Sequence, residues 1–329
     1  MVGGEEMIIY LPLEHLDMRY TTHLDESITS YLDSSSKEYI KIYPKVRQQE
    51  IIHGSFLDAP MTVEFKSKQI AEVAKLYATE VIGNGDIIFT SDIWFPGLES
   101  IAYLNYFCKR DIKIRGILHA GSFTDTDFVR DLERWSKGFE DIIFDVVDRI
   151  YVGSNFIKED VIKKRFVNPD KIKVTGFPLD YRNLTTYCNE FEKENIVVFN
   201  GRNVDEKQPW LFEKLKNEVL RDPEFSSVRF VNTQKLKLSK DNYYELLAKA
   251  KVIVSFALQE NFGFGILEAV YLGCIPVVPD RLVYPEHFNQ QYLYVTFDNC
   301  VSKVKMALKG KLSSPSLIDY STCMEEWFK

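Results

Sequence analysis

Short apolar runs alternate along this chain with longer stretches of helical periodicity. The runs at 8–11, 86–90, 113–118, 149–152 and 172–175 predict a first set of strands, the second led in by a Gly83-Asn84-Gly85 turn. Helix-length stretches such as 67–80 and 97–109 lie between them. Strands spaced by helices predict parallel sheets in an α/β fold. From 178 to 195 the composition turns polar and turn-prone, which predicts a linker. A second series follows at 195–199, 227–231, 251–255, 275–278 and 292–295. The expectation is two Rossmann-like domains, 1–180 and 195–310, with a tail, 311–329, crossing back to the first. Open α/β sheets bind ligands beyond the carboxyl ends of their strands, so the expected site is the cleft between the domains.

Composition narrows the function classes. Of 329 residues, 45% are hydrophobic and 27% charged, which excludes a disordered or fibrous chain. A net charge of −7 argues against a basic nucleic-acid coat. The 5 cysteines are scattered and form no CxxC pair, so neither a disulfide framework nor a zinc site is expected, and the compartment predicted is a reducing cytoplasm. No run approaches the ~18 apolar residues of a membrane span. The N-terminus lacks the basic region of a signal peptide. No protein partner is predicted.

The densest chemistry follows the strand at 251–255. It reads Glu260-Asn261-Phe262-Gly263-Phe264-Gly265-Ile266-Leu267-Glu268, then Ala-Val-Tyr-Leu-Gly273-Cys-Ile-Pro276-Val-Val. Without a Cβ, Gly263 and Gly265 let backbone approach a ligand closely. N–H groups at the following helix start can face a phosphate. Glu260 and Glu268 bracket the loop, and carboxylates accept hydrogen bonds from vicinal sugar hydroxyls. The alternative is a buried strand–helix turn whose glutamates cap or face solvent.

This Glu-x7-Glu spacing, with its Phe-Gly, Leu-Glu-Ala and Gly-x-x-Pro-Val-Val, resembles the donor-site signature of retaining GT-B glycosyltransferases (group 1, family 4-like). The resemblance implies the GT-B fold, an α/β fold with two Rossmann-like domains facing each other across a cleft. It implies that Glu260 contacts the transferred sugar and Glu268 the donor ribose. Asn261 and the stretch Phe262, Gly263, Phe264, Gly265 would then line the donor. A second string, Phe199-Asn-Gly201-Arg202-Asn-Val-Asp-Glu-Lys207, resembles the family's Gly-Arg-x-x-x-Glu-Lys segment, with Lys207-Gln-Pro where Lys-Gly is common. The implied role of Arg202 and Lys207 is to stabilise the leaving diphosphate, one as a planar fork and one as a point charge. Alone, they would read as surface charges of a βα loop.

Three further places match by position. His119, just past the strand at 113–118, resembles the family's active-site histidine, although it could simply cap a turn. Gln234 ends a strand of the second half, where the donor base often lies. On the acceptor side, Asp92 and Trp94 follow one strand, and Trp94 reads equally well as packing. Glu14, His15, Asp17 and Arg19 follow the first strand, where the family often has a glycine-rich loop and this chain does not.

The implied reaction is transfer of a hexose or pentose from a UDP- or GDP-sugar with anomeric retention. No cofactor beyond that donor and no metal is expected. The run 267–286 is similar to the queuosine-tRNA mannosyltransferase-like branch, and compact chains of this kind resemble bacteriophage enzymes acting on hydroxymethylated DNA bases. A modified nucleobase in phage DNA is therefore the leading acceptor, with tRNA, a polysaccharide or a small molecule behind it. Basic stretches at 158–173 and 235–240 could meet a phosphate backbone, though solvated faces are the plainer reading. Rival classes are a two-carboxylate glycosidase, a nucleotide-sugar epimerase and a silent nucleotide-sugar-binding protein. No GxGxxG follows the first strand, which disfavours a dehydrogenase.

Overall fold

Continuous apolar runs suit a parallel sheet covered on both faces. In the computed structural model, which describes residues 6–16, 20–46, 58–125, 127 and 129–329, most strands are buried along their length. The chain divides into two units, Met1–Pro178 with Ser321–Lys329, and Leu179–Tyr320.

The first unit carries β1 (Ile8–Leu11), β2 (Tyr39–Lys41), β3 (Ile87–Thr90), β4 (Lys113–Leu118), β5 (Arg149–Val152) and β6 (Ile172–Val174). They form one parallel sheet in the order β2-β1-β3-β4-β5-β6. The second carries β7 (Glu194–Phe199), β8 (Arg229–Asn232), β9 (Ala250–Val254), β10 (Ile275–Pro279) and β11 (Leu293–Tyr294). Their order is β11-β10-β9-β7-β8, again parallel. Chain order reverses direction between β1 and β3 in one sheet and between β7 and β9 in the other. Crevices outside the carboxyl ends of such strand pairs are where open sheets bind ligands.

Three elements differ from the sequence expectation. β2 was not anticipated, because it is only 3 residues long and half-exposed, too short to show a period. The helix expected at 67–80 runs Ala59–Ala78: Asp58 accepts from Met61 N at 3.3 Å, and Pro60 occupies the first turn, where no N–H is needed. The expected linker contains a helix, Tyr181–Tyr187, anchored by the buried Leu184. Its single buried apolar residue is too weak a signal against the polar background.

The C-terminal residues complete the first unit's core. Trp327 is fully buried, stacks on Phe89 of β3 at 5.8 Å and donates from Nε1 to Thr175 Oγ1 at 2.9 Å. Phe328 packs on Phe89 at 4.6 Å and on Tyr31 at 5.7 Å. Cys108, Cys188, Cys274 and Cys300 are free thiols. Among the described residues, no helix is long and apolar enough to cross a membrane, and no cluster of His, Cys, Asp or Glu has metal-binding geometry.

Candidate functional site

In the second unit, the loops leaving β7 and β9 meet at the switch point. Leu258 N donates to Glu206 O at 2.7 Å, tying one loop to the other. Lys207, buried at the end of a short 3-10 turn, donates to the Gln259 carbonyl and lies 3.2 Å from Glu260 Oε2. The other oxygen of Glu260 accepts from Gly263 N at 3.1 Å. Arg202, half-buried, pairs with Glu206 at 2.6 Å. Lys207 and the first carboxylate thus meet where the two loops join, with Arg202 on the same loop after β7.

The glycines answer to geometry. Gly263 caps the helix Phe264–Tyr271 with φ +84°, a left-handed conformation that costs a residue with a Cβ about 1–2 kcal/mol. A Cβ on Gly265 would stand 2.5 Å from Asn200 Nδ2, which is held by Tyr243 Oη at 3.0 Å. Phe262 is buried against Tyr320 at 5.1 Å and His287 at 5.5 Å, so only its backbone can serve a ligand. Phe264 and Asn261 are half-buried beside it. Gln234 is exposed in a 3-10 turn after β8, its N–H donating to Asn232 Oδ1 at 3.0 Å.

Glu268 lies one helical face deeper. Burial pushes its carboxyl up to about 7, against the pull of the Lys240 ammonium. The Tyr244 hydroxyl reaches Glu268 Oε1 at 3.2 Å and Asp180 Oδ2 at 3.1 Å, and Lys240 pairs with the same Asp180 oxygen. A phenol carries one proton and cannot donate to both carboxylates at once. Asp180, Lys240 and Tyr244 escaped the sequence reading: Asp180 sat in the presumed linker, and Lys240 in a stretch read as surface charge.

In the first unit, His119 follows β4. Its Nε2 lies 2.8 Å from the Ser91 carbonyl, which can only accept, so that nitrogen carries the proton. The ring lies between Tyr20 and Phe177, each at 5.0 Å. Burial lowers its pKa to about 4, leaving a neutral imidazole near pH 7. Asp92 follows β3; its Oδ1 accepts from Trp94 N at 3.0 Å, and burial raises its carboxyl to about 7. Trp94 donates from Nε1 to Glu140 Oε1 at 2.9 Å and packs on Phe139 at 5.3 Å, which is the packing reading of that residue. Glu14 is buried after β1. The next residue, His15, points outward and is paired with Asp25. Asp17 and Arg19 lie outside the described residues.

The basic stretches are largely engaged internally. Lys158 and Lys171 donate to backbone carbonyls, Lys164 pairs with Asp125 and Asp160, and Lys235 pairs with Glu213.

No protein-family model matches this chain. Among curated proteins, the tRNA-queuosine alpha-mannosyltransferase of Drosophila melanogaster is 36% identical over 67 residues. That stretch is 20% of this chain and 18% of the relative, so under a fifth of the relative's length is matched. Solved structures extend further. Anabaena HepE in complex with UDP and glucose aligns over 97% of both chains, with TM-score 0.57 and 11% identity. The catalytic domain of Arabidopsis thaliana starch synthase IV, bound to ADP and acarbose, covers 98% of this chain and 95% of its own, with TM-score 0.64 and 11% identity. Sucrose-phosphate synthase of Thermosynechococcus elongatus reaches TM-score 0.61, also at 11% identity, over 98% and 95%. This chain has the GT-B fold.

Proposed function

We propose that the protein is a retaining glycosyltransferase that moves a sugar from a UDP-sugar to an acceptor hydroxyl. The observation that carries this reading is the meeting of Lys207 and Glu260 where the loops after β7 and β9 join, with Arg202 on the same loop after β7 and Glu268 on the helix that follows Glu260. The bond that breaks joins the anomeric carbon to the diphosphate oxygen, and the electron pair leaves with UDP. Arg202 and Lys207 stabilise that charge where it develops. The start of helix Phe264–Tyr271 adds the positive end of its dipole. Glu268 accepts from the ribose hydroxyls, and Glu260 from the transferred sugar. His119, neutral, is proposed as an imidazole that hydrogen-bonds the sugar. The new bond forms to the acceptor oxygen on the face the leaving group vacates, and the departing phosphate takes the acceptor proton.

Neighbours whose names carry UDP and glucose support a UDP-hexose donor. The leading acceptor is a hydroxyl on a modified nucleobase, supported by the short likeness to the tRNA-queuosine enzyme. That likeness favours tRNA over the phage DNA expected first. The test is mass spectrometry of nucleosides from tRNA and hydroxymethylated DNA incubated with the protein and UDP-sugars. A hexose mass gain is expected on one polymer. Arg202→Ala and Lys207→Ala should each slow turnover about 10²-fold; unchanged rates in both would remove the diphosphate assignment.

A further inference from the structure

We propose that the outer faces of helices Glu99–Cys108 and Glu133–Val146 hold a second copy of this chain, the two Glu133–Val146 helices lying antiparallel about a two-fold axis. The proposal goes beyond the glycosyl-transfer reading and does not depend on it.

Both helices belong to the first unit and pack side by side. On Glu99–Cys108 the buried residue is Ile101, whereas Tyr103, Tyr106 and Phe107 are 63%, 78% and 64% exposed. Their rings cluster, Phe107 lying 4.5 Å from Tyr103 and 5.1 Å from Tyr106. On Glu133–Val146, Ser136, Glu140, Ile143 and Phe144 face inward, but Trp135 and Ile142 are 54% and 52% exposed. Trp135 packs on Phe139 at 6.1 Å and on Trp94 at 6.3 Å, so its exposed ring extends an aromatic group. Single exposed apolar side chains are ordinary on a protein surface, whereas clustered ones mark an interaction face. Trp and Tyr are also the side chains that anchor protein interfaces.

Gly138 points to a helix as what covers this face. At about 3.6 residues per turn, it falls at the centre of the outer face of Glu133–Val146, with Trp135 and Ile142 about one turn to either side. Glycine weakens a helix interior relative to alanine. A Cβ at Gly138 would meet nothing within 4 Å, so packing inside the chain gives no reason for its omission. Close approach of a second helix does.

Charge selects the occupant. The ion pairs of this helix join Glu133 to Arg130 and Arg165, Lys137 to Asp141, and Glu140 to Arg165. Among the described residues, the exposed Arg134 and Asp145 take part in none of them. Arg134 stands in the first turn of the helix and Asp145 in the last. An outer face with a spare cation at one end and a spare anion at the other is complementary to its own reverse. An antiparallel copy sets Arg134 against the partner's Asp145, and the two-fold axis repeats that pairing. Anionic lipid and nucleic-acid backbones select an excess of cations instead.

Sedimentation velocity on the full chain tests this, with circular dichroism on the same samples. A dimer is expected, and Trp135→Ser should release folded monomers. Arg134→Glu and Asp145→Arg each place like charges across the axis twice, so each should weaken the dimer about tenfold or more. The double variant Arg134→Glu/Asp145→Arg should restore it, which a merely damaged fold would not do. Gly138→Leu should weaken the dimer while the helical signal is kept. A native chain that stays monomeric would overturn the proposal, whether or not it binds vesicles of anionic lipid. A dimer indifferent to the charge changes and to Gly138→Leu would overturn it as well.

Discussion

A carboxylate that accepts from both hydroxyls of a ribose must be ionised, and Glu268 sits near its threshold. Its pKa stands at about 7 in the fold, against 4.5 unperturbed. UDP affinity should therefore climb by up to about tenfold per pH unit below 7 and level off above it. In Glu268→Gln that part of the pH profile should vanish, leaving only the nucleotide's own ionisation; calorimetry across neutral pH reads the difference. The stability consequence has the opposite sense. A raised folded pKa supports the fold below about 4.5 and ceases to do so as pH rises through 7. Glu268→Gln should flatten the fall in denaturant-derived stability over that window, with the residual slope set by Asp92, shifted in the same direction, against His119, shifted the opposite way. Gly265 tests the neighbouring contact. Gly265→Ala would drive a methyl into Asn200, at a cost of about 1–3 kcal/mol in urea unfolding if the amide cannot move.

At the scale of elements, the strands were legible because both-face burial writes them as unbroken apolar runs, and β1, β4 and β5 fall at the positions expected. The helices were less so. Ala59–Ala78 hides its start behind a proline, and it hides a buried lysine among surface ones: Lys66, Lys68 and Lys75 look alike in sequence, yet only Lys66 faces inward. Motif spacing exposed Glu260 and Glu268, since both sit on one strand-loop-helix. It could not expose Tyr244, which reaches Glu268 from another helix, or Asp180, which reaches Tyr244 in turn. The loop after β4 depends on a similar distant pairing. Glu140 accepts from Trp94 Nε1 at 2.9 Å and from Ser122 N at 2.6 Å, and Arg165 Nε donates to its other oxygen at 2.6 Å. Both charged side chains are 1% exposed. Glu140→Ala leaves the buried Arg165 guanidinium with only Glu133, at 3.2 Å, as a carboxylate partner and should cost about 3–5 kcal/mol. Thermal unfolding would reveal the loss, and a shift below 1 kcal/mol would mean that solvent reaches the pair.

At the scale of the whole molecule, the chain leaves its first unit at Pro178 and re-enters it at Ser321, so the first unit is closed by residues that follow the second unit in sequence. Its central strand β3 depends on that return, because Phe89 packs on both Trp327 and Phe328. The second unit, Leu179–Tyr320, contains every residue assigned to the UDP moiety. These two facts predict a separable response. Trp327→Ala leaves a large cavity against Phe89 and forfeits the bond to Thr175, a loss of about 3–5 kcal/mol. That loss should fall on the first unit. Calorimetric unfolding of Trp327→Ala should show its transition moved to lower temperature, while the transition stabilised by added UDP stays in place. A single transition moving as one, with UDP raising it throughout, would instead make the two units one cooperative block, and damage to the tail would then weaken donor binding as well.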